Sequence, residues 1–211
     1  EEFATQRSRP KHIQIPMAQL EAIAEPGPVR HAPAQPVKTE GAALSAVAKL
    51  VQKACRPLFI FGGGASGANV MPLLAKTGAA AICTFAGRGL VAADYPLYLG
   101  ACLARPSSAD IIGTADLVVV IGSELAEVDM WRAQLGHQAS LVRIDIDPQV
   151  LSDSQGADIR ILMSAENFAE RLNALLDAGD KHTDWQPDEV RQARKKWTAE
   201  ADAEFPGILP G

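Results

Sequence analysis

Three glycines, Gly62, Gly64 and Gly67, fall in a G-x-G-x-x-G pattern behind the short apolar run Leu58-Phe59-Ile60-Phe61 and ahead of a helical pattern. Glycines there permit a tight turn, and a following helix start offers N–H groups to a phosphate. A dinucleotide site of this type also needs an acid about 20 residues on, to hold the ribose hydroxyls. No Asp or Glu occurs between Gly67 and Asp94. The run from Thr84 to Gly89 ends in Arg88-Gly89 instead, which argues against a nicotinamide dehydrogenase. The same glycines also serve a plain strand-to-turn connection, and the pattern leaves both readings open.

Three further stretches follow apolar runs. Thr84-Phe85-Ala86-Gly87 follows one, Gly122-Ser123-Glu124 follows Leu117–Ile121, and Asp145 and Asp147 close another. Each alone reads as an ordinary turn. Together with the glycine run they predict a cleft at one edge of a sheet. Other chemistry finds no support. His12, His31, His137 and His182 are scattered, with no metal-ligand spacing. There is no G-x-S-x-G elbow and no phosphate-loop lysine. Glu124, Glu127 and Asp129 read as a solvated acidic loop, and Trp131 and Trp197 as packing anchors of a core or an interface. Cys55, Cys83 and Cys102 lie apart among apolar neighbours, as thiols do in a reducing cytosol.

The elements that must hold these turns alternate. Leu44, Val47, Ala48 and Val51 repeat at helical spacing, and Val70, Leu73 and Leu74 mark a second helix. Ser107 reads as the N-cap of a third, and Ser164 caps one carrying Phe168, Leu172, Leu175 and Leu176. Strands are expected at 58–61, 79–85, 117–121, 141–146 and 158–162. Continuous apolar strands between amphipathic helices imply a doubly wound, mostly parallel Rossmann-like α/β sheet, expected to have six strands. That domain is placed at 41–178. Residues 1–40 read as a short strand at 11–15 followed by a linker with prolines at 26, 28, 33 and 36. Residues 179–211 read as a polar linker holding one helix, with Val190, Ala193, Trp197 and Ala201 on one side.

The chain has 211 residues, 47% of them hydrophobic, and a net charge of -5. It is long enough for a sizeable core. Its acidic balance argues against a nucleic-acid partner. No run approaches the roughly 18 apolar residues of a membrane span, and no signal peptide is visible; a cytoplasmic location is expected. The opening Glu1-Glu2-Phe3, without a Met, and the closing Leu209-Pro210-Gly211 are expected of a segment cut from a longer protein.

Five phrases in order resemble the thiamine-diphosphate-dependent enzymes. His12-Ile13-Gln14-Ile15-Pro16 is similar to the closing strand of their pyrimidine-binding domain. Arg56 to Gly64 is similar to the opening of their central domain. Thr84–Gly89 with Tyr95–Gly100, Ala115–Gly122, and Arg143-Ile144-Asp145-Ile146-Asp147-Pro148 continue it. The resemblance runs from about residue 11 to 176 and is nearest to the acetolactate-synthase-like branch. Ser123–Glu127 with Asp129 and Trp131 also resembles 2-oxo acid decarboxylases acting on guanidino substrates.

The resemblance implies a parent enzyme that decarboxylates a 2-oxo acid and joins the product to a second carbonyl in some members, so its class is decarboxylase or transferase. An upstream domain would supply a glutamate that activates the thiazolium. A downstream one would supply a G-D-G…N motif holding magnesium and thiamine diphosphate. Neither is in this sequence. The parent would be a dimer or tetramer, and this segment a central domain, inactive alone. Gly62, Gly63, Gly64, Thr84, Gly87, Gly122, Ser123 and Asp145 match positions that line a FAD or ADP cleft in some members; in others the domain is a scaffold. Family members often follow the last strand with Gly-Asp, where this chain has Met163-Ser164-Ala165. The alternative is a freestanding nucleotide- or flavin-binding module.

Overall fold

The structure, a computed structural model, describes residues 12, 14–20, 23, 41–177 and 183–204. The chain divides into two units, 1–38 and 39–211. In the first, the described residues include one 3-10 turn, Met17–Gln19, with Ile15, Met17, Leu20 and Ile23 exposed. The strand expected at 11–15 is not seen in its described residues, His12, Gln14 and Ile15. A strand exists only by pairing, and no pairing is found there among the described residues. The proline-spaced stretch lies outside the described residues, as do 178–182 and 205–211.

In the second unit, strands and helices alternate. They are α1 (Gly41–Lys53), β1 (Pro57–Phe61), α2 (Met71–Thr77), β2 (Ala80–Cys83), α3 (Ser108–Gly113), β3 (Leu117–Ile121), α4 (Glu127–Met130), β4 (Ser140–Asp145), β5 (Ile159–Leu162), α5 (Ala165–Leu175) and α6 (Pro187–Glu204). The sheet is parallel throughout, with order β2-β1-β3-β4-β5. The expected count of six becomes five, for a visible reason. Outside β2, Ala81 N–H donates to Leu97 O, Leu99 N–H to Ala81 O and Cys83 N–H to Gly100 O. Yet only Tyr98 forms a bridge, parallel to Ala81. Pro96, which lacks a donor, precedes this segment, and Gly100, at φ 88°, closes it, so pairing cannot lengthen.

Strand residues feed two cores by alternation. Phe59, Phe61, Val119, Ile121, Val142 and Ile144 point to one face, where α1, α2 and α5 bring Val47, Leu74 and Phe168. Leu58, Ile60, Val118, Val120 and Leu141 point to the other. That second face receives Ile112 from α3, and Trp185 together with Val190, Ala193 and Trp197 from the α6 region. The stripe expected on that helix is therefore core, and Ala201 is buried with it. Ser164 caps α5 as expected, its Oγ accepting from Asn167 N–H at 3.3 Å. The Ser107 hydroxyl makes no cap bond and donates to Glu200 on α6.

A clasp at the amino edge of the sheet fixes the start of α6. The Arg56 guanidinium pairs with Glu189 at 2.7 Å and lies 3.9 Å over the Trp185 ring. Trp185 Nε1 donates to Pro57 O at 2.9 Å, and Asp184 N–H to Cys55 O at 2.9 Å. Asp116 accepts from the N–H groups of Cys55 and Arg56.

Trp197→Ala is expected to cost about 3–5 kcal/mol of unfolding free energy, because it empties a fully buried site. Val128→Ala, at an exposed position, should stay within about 0.5 kcal/mol. Urea titrations followed by circular dichroism read both. Equal midpoints would mean that α6 is a loose appendage.

Candidate functional site

The register puts the ends of the strands in one row: Phe61 pairs with Cys83 and with Ile121, Ile121 with Ile144, and Asp145 with Leu162. The turns carrying Gly62–Gly64, Thr84, Gly87, Gly122, Ser123 and Asp145 therefore share the carboxyl edge. β1 and β3 diverge there toward connections on opposite faces, the place where open parallel sheets bind ligands. All the expected site residues are brought together.

What the glycines do there is specific. A Cβ on Gly122 would lie 2.6 Å from Gly64 C, and its φ of 62° is left-handed. A Cβ on Gly62 would run into the Gly122 carbonyl oxygen and the Ser123 side chain. The two strand ends thus touch backbone to backbone. Gly87 presses in the same way on the Phe61 carbonyl, and Gly67 on the Glu166 carboxylate. Many of the N–H groups are engaged as well. Gly62 donates to Ile121 O, Gly64 to Gly122 O, Ala65 to Gly62 O, Ser66 to Gly63 O and Gly122 to Ile144 O. Thr84 N–H donates to Phe61 O, and Gly87 N–H to Thr84 O. A diphosphate needs such donors free. The turn also closes into a 3-10 turn, Gly63–Ala65, before α2, so no long helix starts on the glycines. These residues do not fit a diphosphate seated on the glycine turn.

The side chains of the row are turn-formers too. Ser123 Oγ accepts from Leu125 N–H at 3.0 Å, and Asp145 Oδ1 from Asp147 N–H at 3.0 Å. Both residues are buried.

Beside the row, the β3–β4 connection holds what the sequence left unread. Arg143, only 1% exposed, projects from β4, pairs with Asp153 and donates to Ser123 O at 2.7 Å. It lies within a phrase already singled out, but a charge in a buried strand gives no hint of its partner. The Arg132 guanidinium is held by backbone carbonyls, those of Leu103, Met130, Gln134 and Leu135 among them. Of the two places expected for Trp131, core or interface, the core of this domain is excluded: it is 66% exposed, at φ 51° just past α4, while Met130 is buried instead. Four residues of helix turn the indole outward. Glu124, Glu127, Met130, Trp131, Arg132 and Asp153 line a cavity of about 450 Å³ here. Burial, and then the nearby Glu124, raise the Asp129 carboxyl above its ordinary range. A larger groove, about 680 Å³, runs between the Ala93–Pro96 loop and α6 and includes none of the row.

Burial pushes the Cys83 and Cys102 thiols up, away from the thiolate a nucleophile needs. Among the described residues no three His, Cys, Asp or Glu side chains meet as a metal site. No described helix is long and apolar enough to cross a membrane.

Residues 44–172 match the family described as thiamine pyrophosphate enzyme, central domain. The chain belongs to this family. It is 34% identical over 200 residues to a probable 2-ketoarginine decarboxylase of Pseudomonas aeruginosa, covering 91% of this chain and 35% of that protein. It is 30% identical to the large subunit of acetolactate synthase isozyme 2 of Escherichia coli, covering 65% of this chain and 26% of that one. The benzoylformate decarboxylase of Polynucleobacter necessarius shares the fold, with a TM-score of 0.63 at 21% identity over 76% of this chain and 32% of its own. The chain thus spans about a third or less of these relatives' lengths.

Gly62→Ala and Gly122→Ala should each cost about 3 kcal/mol or more, since a methyl must displace backbone. Gly41→Ala, with open space around it, should change stability by no more than about 1 kcal/mol. Chemical denaturation of the three variants decides whether packing explains the glycines.

Asp129 gives a test with a sign. Its folded carboxyl is raised, so its contribution to stability is fully present below the ordinary carboxylate range and is lost as pH rises through the folded value. Asp129→Asn is therefore expected to melt higher than the parent chain at pH 7, with the gain vanishing at acid pH. A lower melting point for Asp129→Asn at pH 7 would contradict this.

Proposed function

We propose that this chain is the middle portion of a longer thiamine-diphosphate-dependent enzyme that decarboxylates a 2-oxo acid, and that the domain serves it as a scaffold without chemistry of its own. The observation that carries the scaffold reading is the crowding of the strand ends: Gly62 and Gly122 meet backbone to backbone, and the N–H groups of Gly62, Gly64 and Gly122 bond to the chain itself. The parent reading is supported by family membership and by relatives whose names are those of a decarboxylase and a synthase. In such a parent, thiamine diphosphate supplies the electron sink for loss of carbon dioxide. Its magnesium and diphosphate would be held by a downstream domain, and its thiazolium activated by a glutamate upstream. The role left to this chain is to hold those neighbours in a fixed relation. A dimer or tetramer with the reaction site between subunits completes the proposal. The described free cysteines suit a reducing cytosol.

A second reading has one observation in its favour. Thr84, Gly87, Gly122, Ser123 and Asp145 do share the carboxyl edge, beside the exposed Phe85. FAD or ADP would then lie across the row without using the glycine turn. A freestanding nucleotide module would rest on the same row.

Calorimetric titration of the 211-residue chain with FAD and with ADP separates the readings. No heat and no thermal shift is the expected result. Micromolar binding of either would replace the scaffold with a nucleotide site. The parent reading is tested on the intact gene product: with thiamine diphosphate and magnesium it should release carbon dioxide from a 2-oxo acid, and failure across a panel of such acids would sink it.

A further inference from the structure

We propose that α6 is a hinged strap: it pivots on the Arg56 clasp and lifts its far end, with Trp197, off the second core while the sheet stays folded. The inference concerns this domain alone and does not depend on the reaction of the parent enzyme.

The two ends of the helix are fastened very differently. At its approach, Asp184, Trp185 and Glu189 make an ion pair, a stacked ring, an indole bond to Pro57 O and a backbone bond to Cys55 O. Pro57 opens β1, which lies between β2 and β3, so this end is tied to the inside of the sheet. Toward the far end, the described residues show only two polar ties to the rest of the domain. The Ser107 hydroxyl donates to Glu200, and Lys196 meets Asp110 at 3.4 Å with both side chains more than half exposed. A pair so open to water adds little. The other carboxylate oxygen of Glu200, Oε2, is buried with no hydrogen-bond partner among the described residues. An oxygen withdrawn from water and left unpaired opposes docking, and lifting the helix returns it to solvent.

What holds the far end is apolar. Trp197, 2% exposed, is its one large buried side chain, with the small Ala193 and Ala201 on either side. The indole is the catch. Open space flanks the same stretch on both sides. A groove of about 680 Å³ separates it from the Ala93–Pro96 loop, and one of about 380 Å³ lies toward Ser107, Asp110 and Ile111. The helix therefore rests on a single line of contact, its buried stripe. The first core, closed by α1, α2 and α5, takes no residue from α6, so a lift leaves it intact. An element held by few contacts opens at lower cost than the whole fold.

The test reads opening along the helix in the folded 211-residue chain. Ala193→Cys and Ala201→Cys place thiols in the buried stripe about 6 and 18 Å beyond Glu189, at 1.5 Å per residue. The native Cys83, fully buried on β2, reports opening of the sheet in the same molecule. Iodoacetamide labelling is followed by peptide mass spectrometry, and each rate is divided by that of the same thiol in the unfolded chain. The thiol at position 201 should label at least about tenfold faster than Cys83, and several-fold faster than the thiol at 193. Arg56→Ala should close the gap between 193 and 201 by removing the pivot. Labelling at 201 within about threefold of Cys83 means that the helix leaves only with the sheet, and overturns the strap. Equal fast labelling at 193 and 201 with the clasp intact overturns the pivot. If either cysteine variant fails to fold, 5-fluorotryptophan in the unsubstituted chain decides. Fluorine relaxation dispersion is then expected at Trp197 and not at Trp185. The same behaviour at both indoles overturns the proposal.

Discussion

A parallel sheet has no face that tolerates water, and this domain is organised around covering both. Strands β1 and β3 are buried at every position, and their residues alternate between two separate cores. One core is closed by three helices that follow the usual alternation along the chain. The other is covered in part by α3 and by loops, and the α6 region completes it with Trp185 and Trp197. The Arg56 clasp is the means by which that late segment finds the right face. It joins the first residues of β1 to the approach of α6 through an ion pair, a stacked ring and backbone bonds. Surface ion pairs contribute little singly; here several contacts fix one geometry.

The covering of the sheet also decides what its carboxyl edge is able to do. With both faces packed, the strand ends cannot splay, and the turns crowd one another. Gly62 and Gly122 are the outcome: two backbones in contact, with their N–H groups already engaged. Beside the row, the β3–β4 connection is long enough to form a cavity of its own. Arg143 reaches that flank from inside the sheet and fixes both sides of it, Ser123 and Asp153.

The strands and their order of burial were legible because continuous apolar runs leave few alternatives. The helices were legible from stripes such as Leu44–Val51, and α6 from Val190, Ala193, Trp197 and Ala201. That these residues share one edge was legible too, since each lies at or after the end of a strand. Its use was not. A glycine that admits a phosphate and one that admits another backbone look alike in sequence, and only the position of Gly122 against Gly62 separates them. Trp131 was expected in a core or an interface, and the sequence alone did not choose between them; just past the four-residue α4 it lies outside the core. Ser107 was taken for a cap, while a partner 93 residues away, Glu200, claimed its hydroxyl. A count of six strands was expected, but no strand was read at 97–99, where Tyr98 forms one bridge to Ala81 between Pro96 and the left-handed Gly100.

That reduced strand has a consequence for life in a crowded solution. An open sheet edge is a template on which another chain can add. On the β2 side the template is occupied by a segment too short to extend it, bounded by a proline and a left-handed glycine. On the far side β5 is four residues long and carries the exposed Arg160 at its centre. A sheet this apolar would otherwise recruit copies of itself. Its two margins, one capped and one brief and charged, offer little template for such addition.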